Sequence, residues 1–171
     1  MRIFINAAAA LVALGMTVPA LAAPVASPTP PQGRALLLIP LTLTKVQDLH
    51  FGTIIPSTTT AGFVTINAVS GARTASAGIG LVATDVGQRA QFAGAGSAGQ
   101  KVFLDLTPPV ELANPAGDKI TVIGMTLDGP ALRTIAANQS FFAGVGGTIF
   151  INANQPEGLY SATYDLTADY Q

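Results

Sequence analysis

One histidine, nine carboxylates and no cysteine are all the chain offers for acid–base, nucleophilic or metal chemistry. The histidine is His50, with Asp48 two residues before it, on the same side if the segment is extended. A metal centre or a general acid–base pair needs further ligands or acids within reach, and nothing near His50 in sequence supplies them. His50 therefore reads as a solvent-edge or hydrogen-bonded strand histidine. No serine sits in a G-x-S-x-G elbow. The acids are dispersed singly, without calcium-loop spacing or a paired arrangement at one loop. Asn138-Gln139-Ser140 is a formal glycosylation sequon, a three-residue pattern common by chance.

The segment Gly94-Ala95-Gly96-Ser97-Ala98-Gly99 matches G-x-G-x-x-G. A dinucleotide site needs that pattern between a strand and a helix. Here Lys101-Val102-Phe103-Leu104-Asp105-Leu106-Thr107 follows, with strand alternation, so a flexible hairpin loop is expected. Gln100 separates Gly99 from Lys101, which also breaks a phosphate-loop pattern. The sequence thus gives no catalytic residues, no metal ligands and no cofactor site, and does not argue for an enzyme.

The elements around these residues are those of an exported β-protein. Arg2 precedes an apolar stretch from Ile3 to Val18, and Ala20-Leu21-Ala22 carries the small residues of a cleavage site. Residues 1–22 read as a secretory signal peptide, cut after Ala22. Asn6 and Pro19 interrupt the stretch and no charged stop follows, so no membrane anchor is expected in the mature form. Charged residues make up 10%, against ~25% in ordinary soluble domains. Net charge is −1, which leaves no basic footprint for nucleic acid. So few charges on an apolar chain imply that part of its surface is covered by partners.

Residues 23–33, APVASPTPPQG, hold four prolines and no alternation, and read as a flexible extended arm. From Arg34 to residue 171 the pattern is that of one β-domain. Ala35, Leu37, Ile39, Leu41 and Leu43 share one face of an extended segment. Pro40 places an edge or a break there, so residues 34–44 serve either as one strand or as two. Further strands are expected near 48–55, 62–68, 77–83, 90–94, 101–107, 119–127, 147–153 and 159–170, whereas 130–140 could hold a helical turn. Thr, Val, Ile and Phe dominate these runs, and this spacing between Gly-rich turns points to a β-sandwich. Gln155-Pro156-Glu157-Gly158 suits a type I turn closing a final hairpin. After it, Tyr160, Ala162, Tyr164, Leu166, Ala168 and Tyr170 face one way, and Ser161, Thr163, Asp165, Thr167 and Asp169 the other. All three tyrosines lie on this one face.

Gly158 stands fourteenth from the end and Tyr170 is penultimate, with apolar residues alternating between them. This resembles the C-terminal chaperone-recognition motif of chaperone–usher pilus subunits. Leu49-His50-Phe51-Gly52-Thr53 is similar to the L-x-F-G segment of spore coat protein U-type pilins. Gly62-Phe63-Val64-Thr65-Ile66, Gly147-Thr148-Ile149-Phe150-Ile151 and Gly158-Leu159-Tyr160-Ser161 continue the pattern, which also resembles a related family of uncharacterised secreted bacterial domains.

The resemblance implies an immunoglobulin-like, pilin-like β-sandwich that lacks its last strand. A periplasmic chaperone and an outer-membrane usher would be its partners in transit through the periplasm. In the fibre, a homopolymer or a mixture of subunits at the cell surface, the N-terminal arm of the next subunit would replace the chaperone's strand. On this reading Tyr160, Tyr164, Leu166 and Tyr170 face the groove or chaperone, Gly158 admits a close backbone approach, and Ala35, Leu37 and Ile39 are candidate donor-strand anchors. The alternative expectation is a self-complete monomeric sandwich that binds protein or glycan through its loops.

Overall fold

The structure, a computed structural model, describes residues 24–76 and 78–171. The signal-peptide reading lies outside the described residues. The chain divides into two units at Leu36/Leu37. In the first, the described residues Pro24–Leu36 carry neither strand nor helix and are exposed.

The second unit is all-β, with no helix among the described residues. Its strands are β1 (Thr42–Gln47), β2 (Ile54–Ile55), β3 (Gly62–Ile66), β4 (Arg73–Ala75), β5 (Gly80–Leu81), β6 (Ala90–Ala95), β7 (Lys101–Thr107), β8 (Glu111–Ala113), β9 (Lys119–Leu127), β10 (Leu132–Thr134), β11 (Ser140–Ile151) and β12 (Asp165–Tyr170). β11 is the axis of a seven-stranded antiparallel sheet. Val145 pairs with both Leu127 and Ala90, and Thr148 with both Gly124 and Thr65, so β9 takes one edge and β6 and β3 share the other end to end. β1 extends the sheet beyond β6, β4 beyond β3, and β8 beyond β9. A second sheet has the order β10-β7-β12, and β2 with β5 makes a third, two-stranded one. The arrangement is a β-sandwich of the immunoglobulin-like kind.

Alternation along the strands builds the core in two parts. The first, between the large sheet and β10-β7-β12, gathers Val102, Leu104, Ile135, Phe141 and Ala143, with Leu41, Leu43, Phe92, Leu166 and Tyr170 packed against them. The second, on the same face of the large sheet, holds Val64, Ile120, Ile149 and Ile151 under Phe51, Ile54, Leu112 and Tyr160. Each fully buried Ile or Val contributes ~1.5–3 kcal/mol relative to exposure. The three-stranded sheet does not cover this second part, where the overlying residues come from short segments.

With no cysteine, arginine side chains tie separate segments together, chiefly through backbone carbonyls. Arg73 donates to Phe51 O (3.0 Å), Thr53 O (3.2 Å) and Val82 O (2.7 Å). Arg89 donates to the carbonyls of Ala68 and Val69, and Arg133 reaches Phe142 O and the Asp128 carboxylate at 2.6 Å.

Several expectations change. Residues 34–44 do not form one strand: β1 begins at Thr42, after Pro40, and Arg34–Leu41 is in no strand. The expected strand at 48–55 is reduced to a His50–Gln88 bridge and β2, and Arg73 bonds the Phe51 and Thr53 carbonyls between them. Of 77–83 only Gly80–Leu81 pairs, with Ala77 outside the described residues. Residues 132–134 form β10 rather than a helical turn. The Gly94–Gly99 loop joins no hairpin: β6 lies in the large sheet and β7 in the other, so the chain crosses the sandwich here. The closing hairpin is likewise absent. β11 ends at Ile151, a turn with Gln155 N–H on Asn152 O (3.3 Å) follows, and the chain crosses to pair β12 with β7. Strand structure over 159–170 is confined to Asp165–Tyr170, whose even positions are half-buried and odd positions exposed.

Candidate functional site

The second core region lies under an open groove of about 710 Å³. Its floor is the inner face of the large sheet: Ile120 and Val122 of β9, Ile149 and Ile151 of β11, and Leu112 of β8. One wall is Leu49–Ile54, the other Gly158–Tyr164. The volume falls within the ~300–1,000 Å³ of sites that take a ligand, and an apolar floor with a polar rim suits an apolar occupant.

Each wall is fixed by polar contacts. In the first, His50 N–H donates to Gln88 O (2.9 Å) and Gln88 N–H to His50 O (2.7 Å). Arg73 holds the carbonyls on either side of Gly52. Thr53 Oγ1 donates to Asp85 Oδ2 (2.8 Å), and His50 Nδ1 lies 3.5 Å from Asp85 Oδ1. The Thr53 hydroxyl holds the Asp85 carboxyl below its ordinary value; desolvation opposes it, and the proximity of His50 and the backbone N–H groups of Gly87 and Thr53 add smaller lowering effects. His50 thus has an acid near it after all, one 35 residues away in sequence that spacing could not reveal.

The second wall is a run from Gly158 to Tyr164 that is in no strand, pinned on its outer side where Ser161 exchanges two bonds with Ala113 of β8 (3.0 and 3.1 Å). Gly158 has φ +154°, and a Cβ there would lie 2.9 Å from Asn114 Nδ2, so glycine is required where the wall passes the β8–β9 turn. Tyr160 Oη donates to Pro156 O (2.8 Å) and accepts from Gln155 Nε2 (3.0 Å). Gln155 is buried and also donates to Lys119 O (3.1 Å), which ties the wall to the start of β9. Sequence reasoning missed Gln155 and Asn114: polar residues in turns give no periodic signal. Tyr164 lines the groove, and its buried hydroxyl has no hydrogen-bond partner. Burial pushes that hydroxyl up to about 12, with the nearby Asp48 charge adding to the rise.

The expected site residues separate into three groups. Gly158, Tyr160 and Tyr164 line the groove. Leu166 and Tyr170 do not: both pack in the first core region. Ala35, Leu37 and Ile39 are exposed and precede β1, with Leu37 87% and Ile39 46% exposed.

At the far end from the groove, β1 and β12 come together. Tyr170 Oη donates to Ile39 O (2.7 Å) and accepts from Ser97 N–H (2.7 Å), while Ile39 N–H donates to Ser97 Oγ (2.7 Å). Gly96 makes room for this: a Cβ there would stand 2.5 Å from Tyr170 Oη and 2.8 Å from Leu41 Cδ1.

No curated protein and no solved structure matches the chain. Residues 41–170 match the model of a domain of unknown function, DUF4402, and the chain belongs to that family.

Proposed function

We propose that the protein is a non-enzymatic, secreted structural subunit of a bacterial surface fibre or coat, assembled by β-strand complementation. The observation that carries this reading is the groove: core isoleucines of β9 and β11 form its floor, and two walls without ladder partners on the groove side flank it. An extended strand laid between the walls covers the floor with alternate side chains and bonds to the wall backbone, the geometry of β-augmentation. The donor is the arm of a second copy. Leu36 and Leu37 are exposed, and the family match begins at Leu41, leaving them outside the shared domain. Before assembly a periplasmic chaperone would fill the groove, and an outer-membrane usher would order the subunits.

Size-exclusion chromatography of the mature protein tests this reading. Polymers from the full mature chain, a monomer after deletion of residues 24–38, and thermal stabilisation of that monomer by a peptide spanning residues 24–38 are expected. Equal polymerisation without the arm overturns the donor assignment.

A second reading is favoured by the junction of Ile39, Ser97 and Tyr170, where the chain's own residues close the sandwich. It is a monomeric extracellular module whose groove takes an extended peptide or glycan from outside. It predicts a stable monomer with the arm intact.

A further inference from the structure

The three hydrogen bonds among Ile39, Ser97 and Tyr170 form a closed set. Every polar group in it has a partner in the set: Ile39 N–H on Ser97 Oγ, Ser97 N–H on Tyr170 Oη, and Tyr170 O–H on Ile39 O, each 2.7 Å. They join three distant parts of the chain: the residue before Pro40, the crossing between β6 and β7, and the last residue of β12. Ile39 is part of no strand, and among the described residues nothing N-terminal to it is either. Two residues later Leu41 packs into the first core region.

We infer that Tyr170 and Ser97 are positioning residues that latch Ile39 to its own sandwich and make it the fixed root of the N-terminal arm. The inference rests on the proposed strand exchange only for its consequence. Of the three candidate donor anchors, Ile39 stays with its own subunit, and a neighbour receives residues up to Leu38. The side chain expected to face a chaperone is instead used inside the chain. A partner strand that takes the Tyr170 hydroxyl must release the arm root, so binding at the end of β12 and the reach of the arm are coupled. Release at Ile39 frees Ile39 and Pro40, up to Leu41 held in the core, lengthening the arm by roughly 3.3 Å for each residue freed.

Amide hydrogen exchange on the full mature protein tests the latch without requiring assembly. In Tyr170→Phe the ring remains and both hydroxyl bonds are lost, and exchange at Ile39 is expected to rise about tenfold, the scale of one or two net hydrogen bonds. Ser97→Ala removes the acceptor of the Ile39 N–H directly and should give at least the same rise. Val102, paired within the β7 ladder, should be unchanged in both variants, and Tyr160→Phe at the groove should leave Ile39 protected. Unchanged exchange at Ile39 in Tyr170→Phe, or an equal rise at Ile39 and Val102, overturns the latch. Failure of the wild-type protein to polymerise would instead count against strand exchange and leave the exchange result standing.

Discussion

Tyr164 meets Phe92 edge to ring, with centroids 6.3 Å apart and planes at 79°, and joins the groove to the first core region. Phe92 belongs to β6 of the large sheet, whereas Tyr164 ends the groove wall just before β12. The pair contributes ~0.5–1.5 kcal/mol beyond its buried area, and none of that needs the hydroxyl. Tyr164→Phe should therefore leave stability at neutral pH unchanged or raise it by up to ~1 kcal/mol, because it removes a buried group without a partner. Urea denaturation of the two proteins provides the comparison.

The same hydroxyl sets an alkaline limit. An unfolded tyrosine ionises near pH ~10, whereas burial holds Tyr164 protonated up to about 12. Between those values the unfolded chain gives up the proton first, so stability is full below pH ~10 and falls as pH rises towards ~12. The fall should be shallower in Tyr164→Phe than in the wild type, measured as melting temperature across that range. Identical slopes would place the alkaline loss elsewhere.

Arg73 ties the first groove wall, through the Phe51 and Thr53 carbonyls, to the segment after β5, through the Val82 carbonyl. Arg73→Met leaves those oxygens without this donor, with an expected loss of at least ~2 kcal/mol. Arg73→Lys, a point donor without the planar fork, should fall between the two. Chemical denaturation gives the ranking, and an Arg73→Met protein as stable as wild type would remove the guanidinium from the account.

Acid should act through Asp85. Its carboxyl is held below its ordinary value chiefly by the Thr53 hydroxyl, so its contribution is complete above the unfolded value near 3.8 and is lost as pH falls through the lower folded one. Thr53→Val should raise the Asp85 pKa towards 3.8, read from carboxyl carbon shifts in an NMR titration. A titration curve that does not move would assign the shift to His50 or to the backbone instead.

Leu112 forms part of the groove floor from β8 and is only partly buried while the groove is open. Leu112→Asp should leave the subunit folded and weaken binding of the residue 24–38 peptide to the arm-deleted protein by at least about tenfold, the equivalent of one lost apolar contact of ~1.5 kcal/mol or more. Calorimetry measures it. Full affinity would place the peptide elsewhere.

The strands that read clearly in the sequence are those with apolar–polar alternation, as in β7, or a run of β-branched residues, as in β9. β7 and β9 occur at the expected bounds, and the wet and buried faces of β12 follow from its even and odd positions. The first half of β11 was not legible, since Phe-Phe-Ala-Gly-Val carries little β-branching and no polar alternation. Connectivity was misread for a different reason. Turn residues such as Gln155-Pro156-Glu157-Gly158 specify a change of direction, not which sheet receives the next strand, and here Pro156 serves through its carbonyl, which Tyr160 needs. The groove could be read only in part. Gly158, Tyr160 and Tyr164 were visible as one face, but the opposing wall lies about a hundred residues earlier, and Gln155 and Asn114, which set the geometry, show no pattern in sequence.

The bond from Tyr170 to Ile39 spans 131 residues. Closing so long a loop is entropically costly before any contact compensates for it, and pairings of this range make folding slow. The first core region needs Leu41 and Leu43 from the start of the domain and Leu166 and Tyr170 from its last strand. A chain emerging N-terminus first therefore has its earliest apolar strand waiting for its latest one. This core closes only once β12 has been made, and a chain stopped short of β12 would stay open however long it is given.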